Sequence, residues 1–240
     1  MDRDAVTEVA ESYYDSQDAD AFYFRVWGGE DIHIGIYERP DEPIFEASQR
    51  STYSVAQKLG LSSTDHVLDL GAGYGGAARW MADKFGCKVT CLNLSEVQND
   101  RNRRMNAERG LSEQISVVHG AFESLPFEDG SFDHVWSQDA ILHSGDKPKV
   151  FAEAARVLRP GGHFAFTDPM QAAVVPEGAL DAVLARIHLD HMGSFKRYGE
   201  LAAAAGLEVV SMDDLTSHLV MHYSRVGQVL EARRPELEKT

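Results

Sequence analysis

A short apolar run that ends in a turn of closely spaced glycines constrains this chain more than any other feature. The run at 67–70 leads into Gly71, Gly73 and Gly76, and an amphipathic stretch at 77–85 follows. Because glycine has no Cβ, the turn can be tight and a ligand can lie against the backbone. The helix that follows presents unpaired N–H groups to that ligand. The pattern therefore predicts the strand, turn and helix that begin a nucleotide-type cofactor site.

Two kinds of cofactor suit this turn. The spacing G-x-G-x-x-G is the fingerprint for dinucleotides such as NAD, which also requires an acidic residue about twenty positions further on. The next apolar run, 88–92, ends at Asn93 instead. The glycine spacing alone is weak evidence for an NAD-dependent enzyme, which stays an alternative.

The charge of the chain limits its partners. The 240 residues include 38 acidic and 23 basic side chains, which gives a formal net charge of −15. An enzyme acting on nucleic acid needs a basic face for phosphates, and an anionic membrane surface would repel this charge. We therefore expect a small-molecule substrate, with neither nucleic acid nor membrane as a partner. The oligomeric state, monomer or homodimer, is left open.

The chain lacks the features of exported and membrane-spanning proteins. No apolar run is long enough to cross a bilayer, and the first residues lack the basic and apolar segments of a signal peptide. Cys87 and Cys91 are spaced to lie on one face of a predicted strand, which favours core packing over a disulfide between them. With few cysteines and no signal, we expect a cytoplasmic protein.

Strand and helix patterns alternate between residues 61 and 170, which is typical of a parallel sheet covered by helices on both faces. Ser95 is a candidate N-cap, and the sequence 159–162 is a predicted turn. The predicted strands are 66–70, 88–92, 115–119, 132–137 and 163–167, and the predicted helices are 75–85, 95–109 and 147–158.

The flanking segments differ from this core. We expect a single domain, 1–240, with an N-terminal helical cap (1–60), a cofactor-binding core (61–170), a helical lid (171–206) and C-terminal strands and helix (207–240). The cap has predicted helices at 4–20 and 43–59 around a loop at 21–40, the lid has helices at 177–191 and 194–205, and the last two strands are 206–210 and 217–220, before a helical tail from residue 222.

The glycine turn resembles that of class I S-adenosylmethionine-dependent methyltransferases, in which the motif D-x-G-x-G ends the first strand. Asp69, Gly71 and Gly73 match that motif as they stand. The resemblance implies an α/β fold with a doubly wound, mostly parallel, seven-stranded, Rossmann-like sheet. It also implies S-adenosyl-L-methionine as the cofactor and S-adenosyl-L-homocysteine as its product, with no metal required.

The same resemblance implies cofactor contacts at the ends of successive strands. Asn93 departs from the acidic residue that commonly accepts both ribose hydroxyls in this family, although an amide can also hold a diol. Phe122 has core packing as a competing role. The full set implied is Tyr23, His33, Asp69, Gly71, Ala72, Gly73, Asn93, Leu94, Ala121, Phe122, Gln138 and His143.

The most specific local pattern runs from Trp136 to His143, after the fourth predicted strand, at the sheet edge where ligands bind. Its D-A-x-L-H sequence resembles that of phosphobase and amino-acid N-methyltransferases, which have the aspartate and histidine at the reaction centre. Two roles for His143 stay open. It accepts a proton from the substrate amine with support from Asp139, or it only positions an amine that is already neutral.

From about Tyr13 to about Arg225 the chain resembles the sarcosine/dimethylglycine N-methyltransferases of glycine betaine synthesis. The resemblance implies in-line methyl transfer to sarcosine and dimethylglycine, which makes an osmolyte. The alternatives are a phosphoethanolamine-type or other small-molecule methyltransferase, and a protein that binds the cofactor without catalysis. The segments that carry the resemblance are 13–16, 22–24, 27–35, 137–144, 167–170, 191–194 and 222–224.

The resemblance also implies a substrate site. Tyr14, given a catalytic role, and Tyr23 would cover the pocket and attract cationic groups with their ring faces. The carboxylate of the substrate needs a cation, for which Arg25, Lys196, Arg197 and Arg225 are candidates, with His191 nearby in the lid. The complete substrate-binding set is Tyr14, Tyr23, Asp139, Met170, Met192, Tyr198 and Tyr223.

Overall fold

The computed structural model describes residues 26–187, 189 and 191–237. The helix predicted at 4–20 and the first part of the predicted loop 21–40 lie outside the described residues. The elements are α1 Ile44–Leu59, β1 His66–Leu70, α2 Gly76–Phe85, β2 Lys88–Asn93, α3 Glu96–Glu108, β3 Ile115–His119, β4 Phe132–Gln138, a 3₁₀ turn Ile141–His143, α4 Lys147–Val157, β5 Leu158–Thr167, α5 Asp181–Ile187, α6 Phe195–Ala204 and α7 Thr216–Leu237.

The strands form a parallel sheet in the order β3-β2-β1-β4-β5. From β1 the chain moves outward to β2 and β3, and it then returns to the other side of β1 with β4. The direction of winding therefore changes between β1 and β4. In open α/β sheets, ligands bind at this switch point, beyond the carboxyl ends of the strands.

Helices cover both faces of the sheet, as the alternating pattern predicts. Successive side chains of a strand point to opposite faces, so Val67 and Leu68 of β1 belong to different clusters. On one face the strands pack against α4 and α6, and on the other they pack against α1 and α2. Cys87 and Cys91 are free thiols buried in the second cluster.

The predicted boundaries of the core are close to those observed. Gly60 ends α1 with a left-handed φ of 62°, and the Ser95 hydroxyl caps α3 by accepting from the Gln98 backbone N–H. The predicted turn 159–162 lies within β5, where it interrupts the ladder with β4. In the lid, the helix predicted at 177–191 is shorter and spans Asp181–Ile187.

The prediction of seven strands is wrong for the described residues, which form five. The segment 206–210 pairs with no strand within the described ranges, and Val210 is 82% exposed. The segment 217–220 lies inside α7. The helical spacing of its partly buried side chains continues through His222 and Val226. The apolar residues of this segment therefore follow the period of a helix and not the period of a strand.

The helix α3 packs on the core through amides instead of apolar side chains. Its buried residues are Gln98, Asn99, Asn102 and Asn106. The guanidinium of Arg79, from α2, is fully buried and donates to Asn102 Oδ1 at 3.1 Å and Asn106 Oδ1 at 2.9 Å. A buried cation is stable only when its donors are satisfied, and these amides provide part of that requirement.

Arg79 also ties down the chain on both sides of the glycine turn. Its Nη2 donates to the Tyr74 carbonyl at 2.6 Å, and its Nε donates to Glu30 Oε2 at 2.8 Å. Glu30 in turn contacts Arg109 at 2.6 Å. One guanidinium therefore connects the glycine turn, the segment near residue 30 and α3.

None of the described helices combines the length and the hydropathy needed to span a membrane.

We expect Arg79→Ala to lower the free energy of unfolding by about 3 kcal/mol, because it leaves two buried amide oxygens and the Tyr74 carbonyl without their donor and Glu30 with Arg109 alone. The matched control is Arg103→Ala on α3, whose half-exposed ion pairs with Glu96 and Asp100 should contribute about 0.5 kcal/mol. Urea unfolding followed by circular dichroism measures both. Equal losses in the two variants would contradict the role assigned to Arg79.

Candidate active site

The glycine turn lies at the switch point and is hydrogen-bonded to the carboxyl end of β2. Gly71 and Gly73 have left-handed φ values of 78° and 52°, which glycine adopts without strain. The N–H groups of Gly71 and Ala72 both donate to the Leu92 carbonyl, at 2.8 and 3.2 Å. A Cβ at Gly71 would overlap that of Ala140, so this turn and the segment after β4 are in direct contact.

A small, strongly acidic cavity of about 30 Å³ lies beside this turn. Burial, and then the charge of Glu30, raise the pKa of Asp31 to about 7. Burial, and then Asp31, raise the pKa of Asp69 to about 7. The cavity is lined by Glu30, Asp31, Ile32, His33, Asp69, Gly71, Ala72, Gly76, Ala77, Trp136 and Gln138.

The residues 31–37, here called the strap, cross the site and are held by side chains from distant elements. The backbone N–H of Ile34 donates to Asp139 Oδ2 at 2.5 Å. The N–H of Gly35 donates to His222 Nδ1 at 3.2 Å, and the N–H of Tyr37 donates to His218 Nδ1 at 3.1 Å. The strap therefore links the end of β4 to α7.

Asp139 has an unusual backbone. Within the described ranges it is the only residue other than glycine with a positive φ, 52°, and such outliers are often found at functional sites. Its Oδ1 accepts from the Thr167 hydroxyl at 2.9 Å, and its N–H donates to the Thr167 carbonyl at 2.9 Å. These bonds, with that from Ile34, fix the carboxylate between the strap and β5. Burial raises its pKa.

His33 and Gln138 form a network that connects the cavity to α1. Thr52 Oγ1 lies 3.1 Å from His33 Nε2 and donates to Gln138 Oε1 at 3.2 Å. His33 Nε2 also lies 3.0 Å from the Ser48 carbonyl, so this nitrogen carries the proton. Burial lowers the pKa of His33, and the nearby Asp139 opposes that effect.

His143 lies in the 3₁₀ turn that follows Asp139. Burial, and then the charge of Lys147, lower the pKa of His143 to about 4. Lys147 is itself buried, and its Nζ donates to the carbonyls of Leu142 at 3.2 Å and Ser144 at 2.9 Å. The imidazole is therefore neutral at pH 7, beside a buried ammonium that holds the turn in shape.

Another carboxylate, the partly buried Asp168, follows β5. It accepts from the Leu142 N–H at 3.0 Å and from the Tyr198 hydroxyl. Burial raises the pKa of Asp168 to about 8, and Tyr198 opposes that effect. Helix α6, in the segment predicted as a lid, is thus joined through Tyr198 and Asp168 to the turn that carries His143.

The end of β2 carries a pair of amides. The side-chain Nδ2 of Asn93 donates to Gln98 Oε1 at 3.0 Å. The side-chain Oδ1 of Asn93 is left as an acceptor for a hydroxyl. Gln98 is buried, and its Nε2 has no partner in the part of the chain that the structure describes. The pair offers one acceptor and one donor near Gly73, whose Cβ would lie 4.0 Å from Gln98 Oε1.

The other predicted cofactor residues lie near this edge of the sheet. Phe122 is buried in the core and its ring would lie 3.2 Å from a Cβ at Gly71; it packs in the core beside the glycine turn, and its cofactor contact stays a prediction. Ala121 and Leu94 are partly exposed next to Phe122 and Asn93. Tyr14 and Tyr23 lie outside the described residues.

The predicted substrate residues are only partly brought together. The Gln171 N–H donates to the Gly193 carbonyl at 2.8 Å, which joins the segments that carry Met170 and Met192, and Gly193 packs directly on Tyr198. Tyr223 is separate. It is 49% exposed, and its ring lies edge-on to Trp27.

The candidate cations for a substrate carboxylate are poorly placed. The Lys196 side chain is 87% exposed, and it and Arg197 pair with Glu200 on the surface of α6. Arg225 donates to the Glu42 carbonyl at 3.1 Å. His191 is exposed, and Arg25 lies outside the described residues. No described residue from this set faces the cavity.

Sequence reasoning missed several residues that the fold brings to the site, namely Asp31, Gln98, Lys147, Thr167 and Asp168. A signal existed for two of them, because Thr167 and Asp168 stand at the carboxyl end of β5, next to β4, where ligands bind in such sheets. Asp31 has no local signal, since it lies in an irregular segment. Among the described residues, no group of three or more His, Cys, Asp or Glu side chains could hold a metal ion.

The sheet order, the glycine turn and the acidic turn after β4 define a methyltransferase. In agreement, the family model for a methyltransferase domain matches residues 68–166.

Relatives along nearly the whole chain identify the family. The sarcosine/dimethylglycine N-methyltransferase of Aphanothece halophytica is 56% identical over 98% of this chain and 85% of its own length. The protein of the same name from Halorhodospira halochloris is 51% identical over 98% of this chain and 85% of its own length. The chain belongs to the sarcosine/dimethylglycine N-methyltransferase family.

A solved structure agrees with this assignment. The crystal structure described as a sarcosine dimethylglycine methyltransferase from Galdieria sulphuraria is 46% identical and superimposes with a TM-score of 0.89. The match covers 95% of this chain and 86% of that chain. The similarity confirms the class I fold for the described residues.

We expect Gly71→Ala to lower the free energy of unfolding by about 2–4 kcal/mol, because it adds a left-handed alanine and an overlap with Ala140. Gly110→Ala is the matched control, since Gly110 has a φ of 70° with nothing within 4 Å of its Cβ position. It carries the backbone strain alone and should cost about 1 kcal/mol. Urea denaturation gives both values, and similar losses would show that the contact with Ala140 is unimportant.

Proposed function

We propose that this protein transfers methyl groups from S-adenosyl-L-methionine to the nitrogen of sarcosine and of dimethylglycine, yielding the osmolyte glycine betaine. The observation that carries the proposal is the direct packing of the Gly71 turn on Ala140. The contact supports the proposal because Ala140 lies between Asp139 and His143 in the chain, so the glycine turn adjoins their segment. The names and the high identity of the full-length relatives support the choice of acceptor.

The described residues fit this cofactor. Positive φ values at Gly71 and Gly73 leave a surface without side chains on the turn, and Asp31 Oδ1, which has no partner among the described residues, lies at the adjoining cavity and can accept from a bound donor. When bound, S-adenosyl-L-methionine supplies the methyl group from its sulfonium. Asp69, Gly71, Ala72 and Gly73 would hold it at the turn, Asn93 with Gln98 at the ribose, and Leu94, Ala121, Phe122, His33 and Gln138 around it.

The acceptor would bind on the side of Asp139 and His143. The Asp139 carboxylate, fixed by Ile34 and Thr167, attracts the ammonium form of the amine. A reacting nitrogen must present a lone pair, so the ammonium form first releases one proton to water, and methyl transfer follows. The well-fixed carboxylate orients the nitrogen for in-line attack, and such positioning supplies much of the acceleration in a displacement.

The low pKa of His143 favours its positioning role over the role of general base. A base works best when its pKa lies near the working pH, whereas burial brings the pKa of His143 to about 4. A neutral imidazole has one N–H, which can donate to the carboxylate of the acceptor, and one free nitrogen, which can accept from the N–H of neutral sarcosine. Met170 and Met192 would form apolar walls that exclude water, and Tyr14 and Tyr23 stay predicted as the aromatic cover.

The site favours an amino-acid acceptor over a phosphobase. A phosphate group needs several cations, and Lys196 and Arg197 are engaged with Glu200 on the outer surface. The test is a coupled homocysteine-release assay with glycine, sarcosine, dimethylglycine and phosphoethanolamine. We expect turnover of sarcosine and dimethylglycine. Turnover of phosphoethanolamine alone, or of none of these amines, would overturn the proposal.

We expect His143→Gln to lower kcat/KM for sarcosine about tenfold, the effect of losing one well-placed hydrogen bond to the N–H of the neutral amine. Because the pKa of His143 is about 4, the imidazole stays unprotonated from pH 6 to pH 9. The pH profile of kcat/KM should therefore have the same shape in both proteins over that range.

Rate measurements at half-unit steps of pH check this expectation. If the wild-type profile contains a rise that His143→Gln removes, His143 acts as the base. If His143→Gln retains the wild-type rate with both acceptors, the residue has no role in the reaction.

A further inference from the structure

The acidic cavity contains polar groups that the protein itself leaves unsatisfied. The Asp31 side chain is 4% exposed, yet its Oδ1 has no hydrogen-bond partner among the described residues. Asp69 is buried and lines the same cavity, where the charge of Asp31 raises the pKa of Asp69. A buried carboxylate without a partner is costly, so this arrangement calls for a bound donor.

The arginine side chains near the cavity already bind other groups of the protein. Arg79 lies in α2 and Arg109 follows α3, and both guanidinium groups pair with Glu30. The remaining donors of Arg79 go to Asn102, Asn106 and the Tyr74 carbonyl. Burial lowers the pKa of His33 on the strap, and the charge of Asp139 opposes that effect. The described cavity lining therefore carries Glu30, Asp31 and Asp69 with no free cation.

The size of the cavity selects the kind of group that would occupy it. About 30 Å³ holds one or two atoms the size of water, so most of a nucleoside cofactor has to lie outside it, over the glycine turn. A terminal ammonium group has the right size, carries three N–H donors and has the required charge. A bound metal ion would need more oxygen ligands than two carboxylates.

We propose that Asp31, together with Asp69, binds the α-ammonium group of the S-adenosyl-L-methionine cofactor, so that Asp31 is a cofactor-binding residue contributed by the strap. The assignment rests on the proposed function and adds a residue to its cofactor site.

The position of Asp31 against α2 supports this assignment. A Cβ at Gly76, the first residue of α2, would overlap Asp31 Oδ1, so glycine at this position makes room for the carboxylate. The first turn of a helix favours an anion, which helps to keep Asp31 ionised once the ammonium is bound. Gly76 is the last glycine of G-x-G-x-x-G, and its missing side chain leaves space for the carboxylate of Asp31.

The charge states set the expected pH dependence. Burial brings the pKa of both Asp31 and Asp69 to about 7, so protonation at pH 6 competes with binding of an ammonium group. Affinity for a ligand that carries this group should rise between pH 6 and pH 8. A ligand without it should gain much less.

The experiment compares Asp31→Asn with wild type by calorimetry, using S-adenosylhomocysteine and its analogue that lacks the α-amino group. We expect the variant to bind S-adenosylhomocysteine about tenfold more weakly, the effect of losing one charge-assisted hydrogen bond. The analogue should bind both proteins within about twofold. The control Asp41→Asn removes an exposed carboxylate just beyond the strap and should bind both ligands as wild type does.

Other outcomes overturn the proposal. If Asp31→Asn weakens both ligands equally, or neither, Asp31 does not contact the ammonium. If the variant fails to fold, wild-type titrations at pH 6 and pH 8 decide, because an equal rise for both ligands contradicts the assignment. Saturable binding of Mg²⁺ or Ca²⁺ that Asp31→Asn abolishes would assign the cavity to a metal. Failure of wild type to bind S-adenosylhomocysteine at all would instead refute the proposed function.

Discussion

The buried guanidinium of Arg79 holds the parts of the site in one arrangement. It bonds to the glycine turn through the Tyr74 carbonyl, to the segment before the strap through Glu30, and to α3 through two asparagines. These three parts are distant in sequence, and α3 contributes little apolar surface of its own. A planar group with five donors can satisfy several acceptors in fixed directions, so a single side chain sets where the cofactor elements meet.

Charge is used differently on the two sides of the switch point. On the cofactor side, Asp31 and Asp69 face each other without a cation of the described chain, a cost that a cationic ligand can offset. On the acceptor side, Lys147 balances Asp168 and holds the turn of His143 through backbone carbonyls. The first side thus gains a positive charge from its ligand. On the second side the Lys147 and Asp168 charges offset each other, and Asp139 is the carboxylate left for the ammonium of the acceptor.

Local patterns predicted the core well, because each core strand is a short apolar run bounded by polar residues or glycine. Observed β1 and β3 have the predicted limits, and Asp69, Gly71, His33 and Gln138 all line the cavity. The sequence did not predict the features that depend on contacts between distant parts of the chain. Val210 looks like part of a strand, but no neighbouring strand pairs with it in the described ranges. Likewise, Asp31 gains its importance only when a distant helix begins beside it.

The strap has one further consequence for the protein in acid. Two of its backbone amides are bound by imidazole nitrogens, those of His222 and His218, whereas the amides of the sheet are bound by carbonyl oxygens. An imidazole nitrogen that takes up a proton can no longer accept, and burial sets the pKa of His222 to about 4. Mild acid can therefore detach the strap from α7 while the sheet ladders stay intact, and hydrogen exchange at Gly35 would accelerate before exchange in β1 does.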